Sequence, residues 1–138
     1  MDTFQKGEIA KLKVMLRAID KGFVVSVPST EGCRYDLVID DGIKLWRTQC
    51  KYINGRASKS TGNVVLNLRR DSGFKKRGRY RTYTTQDIDV VVGYIPETGD
   101  IVWLPPELWD GKSSLQLRVT PALSGQVKRT IPISQYLW

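Results

Sequence analysis

Three residues in one stretch of the chain have the types that phosphodiester chemistry asks for: an acid, Asp36, an amide, Gln49, and a cation, Lys51. Gln49, Cys50 and Lys51 sit in a run that reads as a strand. Side chains alternate across a strand, so Gln49 and Lys51 project together while Cys50 points to the other side. Asp36 lies on the strand before. Oxygen donors suit a hard dication such as Mg²⁺, which polarises a phosphate and acidifies water, while a nearby ammonium stabilises negative charge or orients the nucleophile. Residue type alone also allows Asp36 to be a solvated strand-end carboxylate and Lys51 an exposed lysine.

The elements that must position these residues follow from hydrophobic spacing. Ile9, Leu12, Leu16 and Ile19 recur at intervals of three and four between Glu8 and Lys21, which predicts an amphipathic helix that Gly22 ends. Phe23 to Val27 and Tyr35 to Ile39 read as strands. Asp40-Asp41-Gly42 reads as a hairpin turn that sends a third strand, Ile43 to Tyr52, back along the second. A turn centred on Asp41 and Gly42 puts Asp36 opposite residue 47 or so, and Gln49 and Lys51 then reach it only if the strands are offset or bulged. Val64 to Leu68, Ile88 to Ile95, Ile101 to Leu104 and the alternating Leu115, Leu117 and Val119 complete the strands. No repeat or low-complexity linker interrupts them. Their order describes one mixed α/β sheet with a helix on its face.

A chain of 138 residues with 41% hydrophobic content fits one domain with its own core. The 22 lysines and arginines against 14 acids give +8, and with no histidine that charge is fixed, so anionic partners come first. The missing histidine also excludes Ser-His-Asp and Cys-His catalysis and histidine-based metal sites. Two cysteines, Cys33 and Cys50, are too few for a disulfide framework, which points to a reducing cytoplasm. Neither a signal segment nor a membrane-length apolar run is expected from the sequence.

Lys21-Gly22-Phe23-Val24-Val25-Ser26-Val27-Pro28, then Arg34-Tyr35-Asp36-Leu37-Val38, then Arg47-Thr48-Gln49-Cys50-Lys51 resembles the core of the PD-(D/E)XK nucleases. Within them the likeness is to group I intron homing endonucleases and, more distantly, to archaeal Holliday junction resolvases. Asp89 to Pro105 is similar to the strand pair that follows. The resemblance covers roughly residues 6 to 107. It implies a restriction-endonuclease-like mixed β-sheet flanked by helices. It also implies a catalytic set of Glu8, Asp36, Gln49 and Lys51 and a metal set of Glu8, Asp36, Gln49 and Cys50, with Mg²⁺ as cofactor and Mn²⁺ able to replace it. Gln49 departs from the usual Asp or Glu, and the intron-encoded branch is where such a glutamine is expected. Glu8 also reads as an acid favoured by the positive end of the helix dipole.

Arg69, Arg70, Lys75, Lys76, Arg77, Arg79 and Arg81 face one acid, Asp71, a formal +6 that concentrates most of the charge of the chain. With Gly73, Gly78, Phe74, Tyr80 and Tyr83 interleaved, this segment suits an arm that follows a phosphate backbone, and Lys59 is placed to extend it. The alternative is a solvated charged loop. The expected function is site-specific double-stranded DNA cleavage, with a homodimer or tetramer needed because one site cannot cut two strands. A Holliday junction resolvase and a non-catalytic DNA-binding module are the rivals. Trp46, Trp103 and Trp109 are expected in the core or at an interface, and Tyr136 and Trp138 against a partner chain.

Overall fold

The structure, a computed structural model, describes residues 1–56, 62–70, 81–119 and 130–138. Asp2 opens the first helix, α1 (Thr3–Asp20). Its carboxylate accepts from the Gln5 N–H at 2.8 Å, and the Gln5 side chain accepts from the Asp2 N–H at 3.0 Å, so each satisfies a donor the helix leaves free. Gly22, at φ +81°, turns the chain out of the helix, as its sequence position predicts. Then come β1 (Val24–Ser26), β2 (Leu37–Asp40), β3 (Leu45–Tyr52), β4 (Gly55–Arg56), β5 (Asn63–Asn67), β6 (Arg69–Arg70), β7 (Arg81–Thr82), β8 (Val90–Ile95), β9 (Asp100–Leu104), the short helix α2 (Pro106–Trp109), β10 (Ser114–Arg118) and β11 (Ile131–Pro132).

The strands divide into sheets where the sequence predicts one. The main sheet runs β1-β2-β3-β8-β9, with only the central β3–β8 pair parallel, and α1 packs on one of its faces. A second sheet, β11-β10-β5-β4, holds the strands around Val64 and Leu115. Leu66 and Leu117 from this sheet share a core with Val91, Ile95, Val102 and Leu104 of the main one. The main sheet is therefore covered on both faces, which explains why Val90 to Val92 are all buried and the run reads as continuous rather than alternating. Among the described residues no helix is long and apolar enough to cross a membrane.

Two sequence expectations are corrected. Ile9, Leu12, Leu16 and Ile19 are not the buried face of α1: Ala10, Val14 and Ala18 are fully buried, while Leu12, Leu16 and Ile19 are exposed. The sheet already supplies bulk through Leu37, Ile39, Val90 and Val92, so the helix meets it with small side chains. The chain end does not wait for a partner either. Leu137 bridges to Val102, Trp138 packs on Trp103 and Phe23, and the N–H of Trp103 donates to the Tyr136 carbonyl at 2.8 Å, so the last residues cover the outer edge of β9. Trp109 is buried as expected and donates through Nε1 to the Leu104 carbonyl.

Gly93 on β8 shows how tightly the two layers meet. A Cβ there would overlap Ile53 Cδ1 and lie 3.2 Å from Cγ1, and Ile53 is itself buried in the shared core. Gly93→Val adds a strand-favouring side chain but no room for it, so a net loss of about 1–3 kcal/mol is expected from overpacking. The readout is a lower urea midpoint with an unchanged m-value.

Candidate active site

Register decides whether Asp36 meets Gln49. The β2–β3 connection is not a two-residue turn. Asp41 Oδ1 accepts from the N–H groups of both Ile43 and Lys44 at 2.8 Å, Asp41 Oδ2 accepts from Trp46 Nε1 at 2.9 Å, and Gly42 takes φ +90°. These bonds hold a connection of residues 41–44, so Asp40 pairs with Leu45 and Leu37 with Thr48. The ladder ends at that pair, and Asp36 and Gln49 are the next residues on the two segments. The longer turn thus removes the mismatch expected from an Asp-Gly hairpin.

Main chain and side chain then both tie Asp36 to β3. Its N–H donates to the Thr48 carbonyl at 2.9 Å, and its Oδ2 accepts from the Cys50 N–H at 2.9 Å. Thr48 and Cys50 are buried, whereas the alternating Gln49 and Lys51 are half-buried, so the amide and the ammonium share the face opposite the buried pair. Across the parallel pair they stand beside Val91 and Gly93 of β8. The Lys51 ammonium lies 5.0 Å from the centre of the Tyr83 ring, within reach of its negative face. Tyr83, assigned from the sequence to the basic arm, is buried in the core and backs this lysine.

Burial pushes the Asp36 carboxyl above the ordinary range, against the lowering pull of the Cys50 N–H and of the Lys51 and Lys11 charges, while Glu8 adds to the rise. Glu8 on α1 is therefore within electrostatic range of Asp36, although its exposed side chain pairs with Lys11 Nζ at 2.8 Å. Lys11 is the residue that sequence reasoning missed. Its signal was present: it stands three residues after Glu8, on the same flank of the predicted helix. The Cys50 thiol points away from Gln49 and Lys51, as alternation predicts: it is buried in the core against α1, burial raises its pKa well above normal, and it is the main chain of Cys50 that reaches Asp36.

A dication fits this donor set. Asp36 is a carboxylate whose charge is poorly solvated, Gln49 carries an amide oxygen between the two β3 residues that Asp36 bonds, and Glu8 is a second acid nearby, all hard oxygen ligands. Among the described residues no three His, Cys, Asp or Glu side chains converge, because one donor here is an amide and Glu8 turns to Lys11.

Arg47, on the same strand, has another task. It binds Asp89 through Nε at 3.1 Å and Nη2 at 3.0 Å and donates to the carbonyls of Gln86 and Thr85, fixing the entry to β8. Its guanidinium holds the Asp89 carboxyl below its usual value, so the stability from this pair is present above the ordinary carboxylate range and is lost as pH falls through the depressed value.

Of the basic segment, Arg69 is exposed, and the main chains of Arg69 and Arg70 pair with Thr82 and Arg81. Lys59, Lys75, Lys76, Arg77, Arg79 and Tyr80 lie outside the described residues, as do the side chains of Arg70 and Arg81.

The sequence profile of the family described as PD-(D/E)XK endonuclease matches residues 1–137. The chain belongs to the PD-(D/E)XK endonuclease family. It is a nuclease, of a family that typically works with divalent metal ions. Its fold is similar to that of a bacterial homing endonuclease, I-Ssp6803I, with 26% sequence identity and a TM-score of 0.78, the alignment covering 99% of this chain and 89% of the other. A search of curated proteins gives no match.

Proposed function

We propose that this PD-(D/E)XK nuclease is a site-specific double-stranded DNA endonuclease of the intron homing type that hydrolyses phosphodiester bonds with Mg²⁺, Mn²⁺ substituting. The observation that carries the reading is that Asp36 is bonded to Thr48 and Cys50, the residues on either side of Gln49 on β3, with Lys51 two residues on and on the same face as Gln49. The likeness to a homing endonuclease over nearly the whole chain favours that branch.

In this reading Asp36 is the central ligand, held in place by the Cys50 N–H on its other oxygen. Gln49 adds a neutral oxygen, the Cys50 main chain lies beside them, and Glu8 reaches the ion after exchanging its bond to Lys11. Bound Mg²⁺ supplies Lewis-acid polarisation of the phosphate and a water acidified for attack. Lys51, steadied over Tyr83, stabilises the negative charge that develops on the phosphate oxygens. The whole chain acts as one domain in a reducing cytoplasm. One site per chain requires a homodimer or tetramer to cut both strands.

Arg69, Arg70 and Arg81, with Lys59, Lys75, Lys76, Arg77, Arg79 and Tyr80, form the DNA-binding arm. Replacing Lys75, Lys76 and Arg77 by alanine is expected to flatten the plot of log affinity against log salt by about 0.9 for each phosphate that is no longer neutralised. An unchanged slope would make the segment a solvated loop.

The reading as a whole is tested by incubating a randomised DNA library with Mg²⁺ and sequencing the ends. A single long target cut on both strands is the expected result. Cutting confined to four-way junctions would make the chain a resolvase, and binding with no cutting in Mg²⁺ or Mn²⁺ would make it a DNA-binding module.

A further inference from the structure

The helix α1 has two apolar faces. Ala10, Val14 and Ala18 are sealed against the sheet, yet Leu12, Leu16 and Ile19 remain 59%, 57% and 58% exposed, with Ile9 completing their row. At about 100° per residue the two rows point roughly 180° apart. A helix on the surface of a lone domain needs one apolar face, so the outer row calls for a cover of its own.

Its spacing says what cover fits. Positions 9, 12, 16 and 19 follow the three-four-three rhythm of a helix-pair seam, and they are symmetric about residue 14. An antiparallel second helix of the same sequence therefore sets Ile9 against Ile19 of the partner copy and Leu12 against Leu16 of the partner copy, twice over, as a two-fold axis requires. The same alignment brings Lys6 near Asp20 of the partner copy on either side of the axis, opposite charges in a chain that otherwise repels itself at +8. Taking about 200 Å² for a large side chain, Leu12, Leu16 and Ile19 offer roughly 350 Å² of apolar surface, an apolar centre for the ~800 Å² each partner contributes to a stable interface.

We propose that the outer face of α1 is the self-association surface, occupied by α1 of a second copy running antiparallel. The inference rests on the reading of the chain as an oligomer and names the surface that makes it one. The pairing covers neither the face that carries Gln49 and Lys51 nor the core, because the exposed row points away from the sheet.

Sedimentation of DNA-free protein tests it. Leu12→Lys and Leu16→Lys should each weaken association at least a hundredfold while circular dichroism and thermal midpoint hold, since both side chains are already exposed. Lys6→Asp and Asp20→Lys should each loosen the pair a few-fold, and the double exchange should restore it. Wild-type association in both leucine variants, or a double exchange no tighter than the single ones, would overturn the antiparallel α1 seam while leaving the oligomer intact. A wild type that sediments as a monomer at every concentration would remove the oligomer reading as well.

Discussion

Asp36→Asn should abolish cleavage and, at the same time, make the metal-free protein more stable. The two effects have one cause. Burial raises the Asp36 pKa, so its charged form is disfavoured in the folded chain. A folded-state pKa above the unfolded one gives stability that is complete below the ordinary carboxylate range and is lost as pH rises through the folded value. Asparagine has no charge to bury and still offers an oxygen to the Cys50 N–H. Its thermal midpoint should therefore exceed that of the wild type at neutral pH, with the gap closing in acid. Cleavage should move the other way. A neutral amide is a poor sole anchor for a hard dication, and a loss of about three orders of magnitude, or ~4 kcal/mol of barrier, is expected with DNA binding intact. Thermal melts across pH, with single-turnover cleavage of a target duplex, check both halves. Near wild-type cleavage would remove Asp36 from the site.

In the proposed site Gln49 takes the place of the usual acid, and it gives the second large effect. Gln49→Leu keeps the size but removes the ligand atom, and should lower single-turnover cleavage by about two orders of magnitude, ~2.7 kcal/mol. Gln49→Glu should instead lower the Mg²⁺ concentration for half-maximal cleavage, because it adds a second carboxylate between the two β3 residues that Asp36 bonds. When metal is scarce the same charge should repel the scissile phosphate, so a steeper Mg²⁺ dependence is also expected. Binding measured in Ca²⁺ controls for affinity. A fully active leucine variant would make Gln49 a packing residue.

The sequence showed the strands, the helix and the shared face of Gln49 and Lys51, because those depend on alternation and periodicity within a few residues. It did not show what depends on partners far along the chain. The row Ile9, Leu12, Leu16 and Ile19 is the strongest apolar pattern in α1, and periodicity alone took it for the buried one. What selects Ala10, Val14 and Ala18 instead is the bulk of the sheet beneath them, which belongs to other segments. The register of β2 on β3, which sets where Asp36 meets β3, turned on the Asp41 carboxylate organising a connection two residues longer than an Asp-Gly hairpin. Tyr83 reads as part of a basic stretch, yet its ring is in the core under Lys51, and nothing local distinguishes it from Tyr80. The second sheet escaped notice because pairing between Val64 and Leu117 spans more than fifty residues.

The claim on which the rest stands is that Asp36 anchors a divalent ion where β2 meets β3. Titrating Mn²⁺ into the DNA-free protein and following the free ion by electron paramagnetic resonance tests it without reference to substrate or oligomer. The wild type should take up Mn²⁺ in competition with Mg²⁺, Gln49→Glu should bind it more tightly, and Asp36→Asn should leave the signal of free Mn²⁺ unchanged. Uptake by Asp36→Asn equal to that of the wild type would contradict the account and place the metal elsewhere.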